Sequence, residues 1–197
     1  MNKYKKILFI EIVLSFFLVG CAAVGVPLTF SPEKKITYAQ TLFQEFDRPL
    51  PAQDLIEEAI KIYKDRNDQF GLAIAYQTYG DFLQSTAVGQ WSKMKFFDKS
   101  VIHENRYQKA LEYYKKALDI SENISDYAMA SSVYFSIGRL YFLYFEDKDI
   151  VCDSFSKSIE KHLMFRRNNP NTKLILPQGY NNFVDYVNAA QKQAGCL

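Results

Sequence analysis

Histidine, glycine, proline and net charge are all in short supply in this chain of 197 residues, and each shortage excludes something. The two histidines, His103 and His162, stand without metal-ligand spacing to each other or to a cysteine, so no metal site is expected. There is no glycine-rich phosphate loop and no Gly-x-Ser-x-Gly nucleophile turn. Carboxylates such as Glu57, Glu58, Asp147 and Asp149 fall where solvated helix faces and turns are expected. No catalytic residue, cofactor or enzymatic activity is therefore expected. With only 8 Gly and 6 Pro against 14 Tyr and 16 Phe, the chain reads as an ordered, aromatic-packed protein and not as a disordered stalk. Residues 1–20 hold three of the 24 basic residues and one of the 22 acidic ones, which leaves 21 of each and no net charge from residue 21 onward. Nucleic acid is not an expected partner, because phosphate binding needs clustered excess Lys and Arg.

The start of the chain is unlike the rest. "MNKYKK" supplies Lys3, Lys5 and Lys6, and an apolar run follows from Ile7 to Val19, interrupted by Glu11 and Ser15. A positive start, a short apolar run and small residues at its end are the features of a secretory signal, and the run is short for a bilayer span. The residues "LVGC", with Leu18, Gly20 and Cys21, resemble the lipobox of bacterial lipoproteins. That resemblance implies cleavage before Cys21 and a thioether-linked diacylglycerol, with further acylation, on its new N-terminal residue. The segments expected are a signal peptide over 1–20, a lipidated tether over 21–31 and a helical domain over 32–197. Two or more acyl chains exceed the threshold for stable anchoring. Ala22 and Ala23, where Asp is absent, resemble the outer-membrane sorting pattern, so the expected location is the periplasmic face of the outer membrane, with the inner membrane as the lesser alternative.

Two cysteines remain. In an oxidising compartment Cys152 and Cys196 form an even pair, and a bridge near the chain end would suppress fraying. The other reading is a buried free Cys152 with an exposed tail thiol at Cys196. Spacing does not decide between them.

Two stretches align without a gap, "AIKIYKDRNDQFGLAIAYQTYGDF" at 59–82 and "ALDISENISDYAMASSVYFSIGRL" at 117–140, at a constant offset of 58. The match pairs Ala59 with Ala117, Ile62 with Ile120, Asp68 with Asp126, Tyr76 with Tyr134 and Gly80 with Gly138. Such self-similarity in helical sequence marks stacked helical hairpins. The unit resembles the tetratricopeptide repeat. First-helix positions are carried by Tyr76, Tyr79 and Gly80 and again by Tyr134, Ile137, Gly138 and Tyr141. Second-helix positions are carried by Ala52, Ile56 and Ala59, by Ala110, Tyr114 and Ala117, and more weakly by Val151, Phe155 and Ser158. Ile36, Ala39 and Phe43 form the face of a further helix begun by Ser31 as N-cap and Pro32 in its first turn.

The expected fold is thus all-α, a tetratricopeptide-like stack of antiparallel helical hairpins with a C-terminal capping helix. Helices are expected over 32–46, 51–65, 69–85, 105–121, 125–145, 149–166 and 179–193. An inserted loop over 84–105 departs from the family's tight turn and carries Trp91, Phe96, Phe97 and His103. Phe96 and Phe97 are expected to fold back as local core, while Trp91 reads equally as core or as contact. A second loop carries Arg166, Arg167 and the apolar Leu174, Ile175 and Leu176, a triplet expected to lie along the stack.

The resemblance implies binding of a peptide or protein along the concave face, lined by the first helix of each pair. At those positions stand Gln77, Asp81 and Gln84, then Phe135, Arg139 and Phe142. The last three share one helical face at i, i+4 and i+7, and an Arg between two aromatics suits a carboxylate or carbonyl. The competing reading makes Phe135 and Phe142 core beneath a capping helix. The functional expectation is a non-enzymatic, membrane-anchored scaffold of an envelope or secretion assembly, its protein partner unidentified. The alternative is a periplasmic immunity lipoprotein that neutralises a delivered toxin.

Overall fold

A computed structural model describes residues 29–173 and 176–197, and among them there is no strand. The signal, Cys21, most of the tether, Leu174 and Ile175 lie outside the described residues. The helices are α1 Pro32–Gln44, α2 Pro49–Asp65, α3 Gln69–Gln84, the single turn α4 Thr86–Gly89, α5 Arg106–Asn123, α6 Tyr127–Leu140, α7 Lys148–Asn168 and α8 Phe183–Gln193.

Side-chain caps set most of the starts. Ser31, Asp68, Asp126, Asp147 and Asn182 each accept a hydrogen bond from a backbone N–H in the first turn that would otherwise lack a partner. Asp68 and Asp126 are repeat equivalents, so the cap repeats along with the core. The turns before them repeat too: Asn67 and Ser125 take positive φ of 52° and 57°. The N–H groups of Asp68 and Asp126 reach back to the carbonyls of Tyr63 and Ser121, at 2.9 and 2.8 Å.

Where boundaries differ from expectation, local backbone explains it. α1 ends at Gln44, ahead of a turn whose Asp47 has φ 50°. α8 begins only at Phe183, because Gly179 at φ 96° and the Asn182 cap belong to the approach. Past Leu140 the helix widens into a π-turn, Tyr141–Phe145, and Glu146 in the left-handed region closes it.

Consecutive helices pack as antiparallel neighbours: α1 on α2, α3 on α5, α6 on α7, with α8 laid on α7. α2 also meets α3, and α5 meets α6. Contacts between α1 and α3, and between α3 and α6, bring these three onto one side of the molecule. The close approaches are made by glycines. A Cβ on Gly80 would fall 2.6 Å from the Tyr114 ring, and one on Gly138 would fall 2.8 Å from the Phe155 ring. Ala52, Ala59, Ala110 and Ala117, fully buried, line the second helices where the repeat pattern puts small residues. The main core runs from Ile36 to Leu140, and a second cluster of Val151, Phe155 and Val187 lies under α8.

The inserted segment is ordered by its own aromatics. Phe96 is buried, and Phe97 packs on Tyr79 with ring centroids 4.5 Å apart. The Gln53 side-chain amide clamps the strip, donating to the Lys95 carbonyl at 3.1 Å and accepting from the Phe97 N–H at 3.2 Å.

Candidate binding groove

The side built from α1, α3 and α6 carries a polar hollow of about 480 Å³. Gln77, Asp81 and Gln84 line it from α3; Ser132, Ser136 and Arg139 line it from α6; Leu143 and Tyr144 close it from the π-turn. Next to it lies a hollow of about 300 Å³ walled by Phe135, Phe142, Tyr180 and Tyr186 and floored by Phe155. Arg139 and Leu143 belong to both, so they form the sill between a polar compartment and an aromatic one.

In the polar compartment the α3 side chains are held in place. Gln77 donates from Nε2 to Ser132 Oγ at 2.8 Å and to Ser136 Oγ at 3.3 Å, tying α3 to α6 across the groove. Asp81 accepts from the Tyr114 hydroxyl at 2.5 Å and from Gln84 Nε2 at 3.4 Å, while Gln84 also donates to the Tyr114 oxygen. Burial pushes the Asp81 carboxyl up to about 6, against the opposing pull of the Tyr114 hydrogen bond, the Arg139 charge and Gln84. Asp81 and Arg139 occupy the same repeat position, one offset of 58 apart, and they carry opposite charge.

Arg139 itself is exposed and has no hydrogen bond or ion pair among the described residues. A guanidinium presents five donors in a fixed fork, so these point into the groove mouth unspent. Phe135 and Phe142 are half-buried. Phe135 packs on Phe155 at 5.5 Å and on Tyr186 at 4.9 Å, and Phe142 packs on the cluster beneath α8. Both aromatics therefore serve the cap as well as the hollow.

Of the residues singled out from sequence, Gln77, Asp81 and Arg139 come together in one compartment, and Phe135 and Phe142 meet Arg139 in its neighbour. Trp91 stands apart, 45% exposed, beside Leu50. Cys152 and Cys196 are joined, with an S–S distance of 2.00 Å. Ser132, Ser136 and Tyr144 are groove residues that the sequence repeat alone passes over. Ser132, Ser136, Arg139 and Leu143 do recur at i, i+4, i+7 and i+11, a helical stripe that could have marked them.

No group of three or more His, Cys, Asp or Glu suited to a metal ion occurs among the described residues. His162 is buried with its ring 4.6 Å from that of Phe183, and burial holds its imidazole below the ordinary range. No described helix is long and apolar enough to cross a membrane. Comparison with protein-family models, curated proteins and solved structures finds no match.

Proposed function

We propose that the chain is a lipid-anchored envelope protein whose tetratricopeptide-like stack holds a polypeptide partner in the groove between α3 and α6, without catalysing a reaction. One observation carries the reading: Arg139 is exposed, makes no hydrogen bond or ion pair among the described residues, and sits where a polar compartment opens onto an aromatic one. A partner segment with a carboxylate or carbonyl for the guanidinium and an apolar side chain for the aromatic hollow fits both. The alternation of small residues and aromatics, and the contact of α1 with α3 and of α3 with α6, support the repeat reading. The anchorage reading is supported by "LVGC" ending in Cys21 after a basic start and an apolar run, and the periplasmic face of the outer membrane by the alanines that follow.

The test is capture from intact envelopes with a photo-crosslinker at Ser136, with and without Arg139→Ala. The variant is expected to lose about thirtyfold in capture, the roughly 2 kcal/mol of an interface anchor, with the fold retained. Unchanged capture together with a lowered melting temperature would place Arg139 in the fold's own electrostatics and the partner elsewhere.

A further inference from the structure

The inserted segment after α4 has a second face that the groove does not use. Its side chains alternate in direction. Met94 and Phe96 point inward and are buried, whereas Trp91, Lys93 and Lys95 are exposed. The backbone that carries them is fixed by the Gln53 clamp and by the Met94 N–H donating to the Trp91 carbonyl at 2.9 Å. Burying two apolar side chains of the strip thus holds a tryptophan in solvent.

Trp91 has company. Leu50, 42% exposed at the start of α2, shares with it an open hollow of about 570 Å³ whose only charged lining residues are Lys93 and Lys95. Phe46, 60% exposed, stands four residues before Leu50 in the turn that also holds Asp47 and Arg48. An adjoining hollow repeats Lys93 and Lys95 and adds Lys99, with Glu104 as its single carboxylate. Lys93 and Lys95 make no ion pair among the described residues. The nearby Asp98 is occupied by Ser100 and by the Tyr113 hydroxyl.

We propose that this face rests on an anionic phospholipid surface, with Trp91 and Leu50 at headgroup level and Lys93 and Lys95 against the phosphates. A tryptophan with one edge in apolar surroundings and the other wet, flanked by lysines on extended stems, matches the chemistry of that interface. The proposal rests on the anchorage reading for its occupant. Ten residues separate Cys21 from Pro32 and span at most about 35 Å, so an acylated Cys21 keeps the domain within that distance of a bilayer. α1 is about 20 Å long, within the tether's reach, so the end bearing Phe46, Leu50 and Trp91 can turn onto the lipid at high effective concentration.

Because Trp91 is the only tryptophan, its fluorescence reports this face alone. The full chain, purified from membranes, is reconstituted into phosphatidylcholine vesicles with or without phosphatidylglycerol, the acyl chains carrying bromine. With phosphatidylglycerol, Trp91 emission is expected to shift to the blue and be quenched by bromine, and Lys93→Glu with Lys95→Glu to remove at least half of that quenching. Water-like emission in both vesicles, or equal quenching with and without phosphatidylglycerol, would overturn the proposal. So would a blue shift that follows protein concentration in detergent alone, which would mean a second copy covers the face. The acyl group on Cys21 is read by mass spectrometry of the same sample. An acylated chain with a wet Trp91 defeats this inference and leaves the anchorage reading standing. An unacylated chain whose Trp91 answers to phosphatidylglycerol does the reverse.

Discussion

Ser131 on α6 and Ser158 on α7 each donate a hydrogen bond to the other's backbone carbonyl, both at 2.8 Å and both fully inside the protein. At the equivalent places in the preceding hairpin stand Ala73 and Ala117, also buried. One packing position is thus filled in two chemically different ways: by two small apolar residues, or by two hydroxyls that each donate to the backbone carbonyl across from them. Replacing one serine removes its own donor and leaves the backbone carbonyl that the other serine uses, so Ser131→Ala should cost about 0.5–1.5 kcal/mol. The double change to alanine copies the neighbouring hairpin and, because each bond has its own donor and its own backbone acceptor, should cost about the sum of the singles. Urea melts of the three variants give the coupling, and a double cost well below the sum would mean that the helices close up only when both hydroxyls are gone.

The glycines make a similar comparison across hairpins. Gly138 lies under the Phe155 ring, seventeen residues before it; the same spacing in the first hairpin separates Ala39 from Ile56, both fully buried. A methyl at 138 must displace an aromatic ring that is itself buried, so Gly138→Ala should destabilise by about 1–3 kcal/mol despite its better helix propensity. Gly138→Ala with Phe155→Ile reproduces the first hairpin's pairing and should cost less than the two changes added. A stabilising Gly138→Ala would mean that the helices can part without loss.

These repeats explain why the helices were legible in sequence. Their apolar periodicity, small residues and caps recur at a fixed offset, and each follows from local chemistry. The π-turn was not legible, because "YFLYF" carries an unbroken helical pattern and only the hydrogen-bond ladder departs from it. In the groove, the repeat put Gln77 with Phe135 and Asp81 with Arg139 at matching positions. It could not tell that Gln77 would be tied to two serines of α6, or that Phe135 would be shared with α8. Those outcomes depend on how far apart the helices settle and on where the last helix lands, which are tertiary distances. Trp91 stayed ambiguous for a related reason: its exposure is set by Met94 and Phe96 taking the buried places around it.

The Cys152–Cys196 bridge joins the second turn of α7 to the residues just beyond α8, 44 positions away. Without it, α8 is held by Val187 and its half-buried aromatic neighbours. Cys152→Ser with Cys196→Ser should cost about 2–4 kcal/mol. Amide exchange should quicken first across Phe183–Gln193, with α1 to α3 unaffected below the global melt. Uniform loss of protection along the whole chain would show that the bridge supports the fold as one unit and not the cap in particular.

Asp81 gives the fold a pH signature with a definite sign. Its folded carboxyl is pushed up to about 6 from an ordinary value of 3.8, chiefly by burial. Between roughly pH 4 and 6 the native state therefore holds a proton that the unfolded chain has released, and this group's stabilisation is lost as pH rises through that window. The full shift corresponds to about 3 kcal/mol, and the partial exposure of Asp81 brings the expectation down to about 1–2 kcal/mol. Asp81→Asn keeps an oxygen for the Tyr114 hydroxyl and removes the ionisation. Relative to the unchanged protein, the variant should gain stability at pH 7.5 and lose that advantage by pH 4.5, read from paired thermal melts. Arg139→Ala removes the nearby cation that favours the carboxylate, so it should raise the Asp81 pKa further and move the window upward. If Asp81→Asn and the parent run parallel from pH 4 to 8, the carboxyl ionises as it would in water. The charge opposite Arg139 in the groove would then be essentially complete above about pH 5.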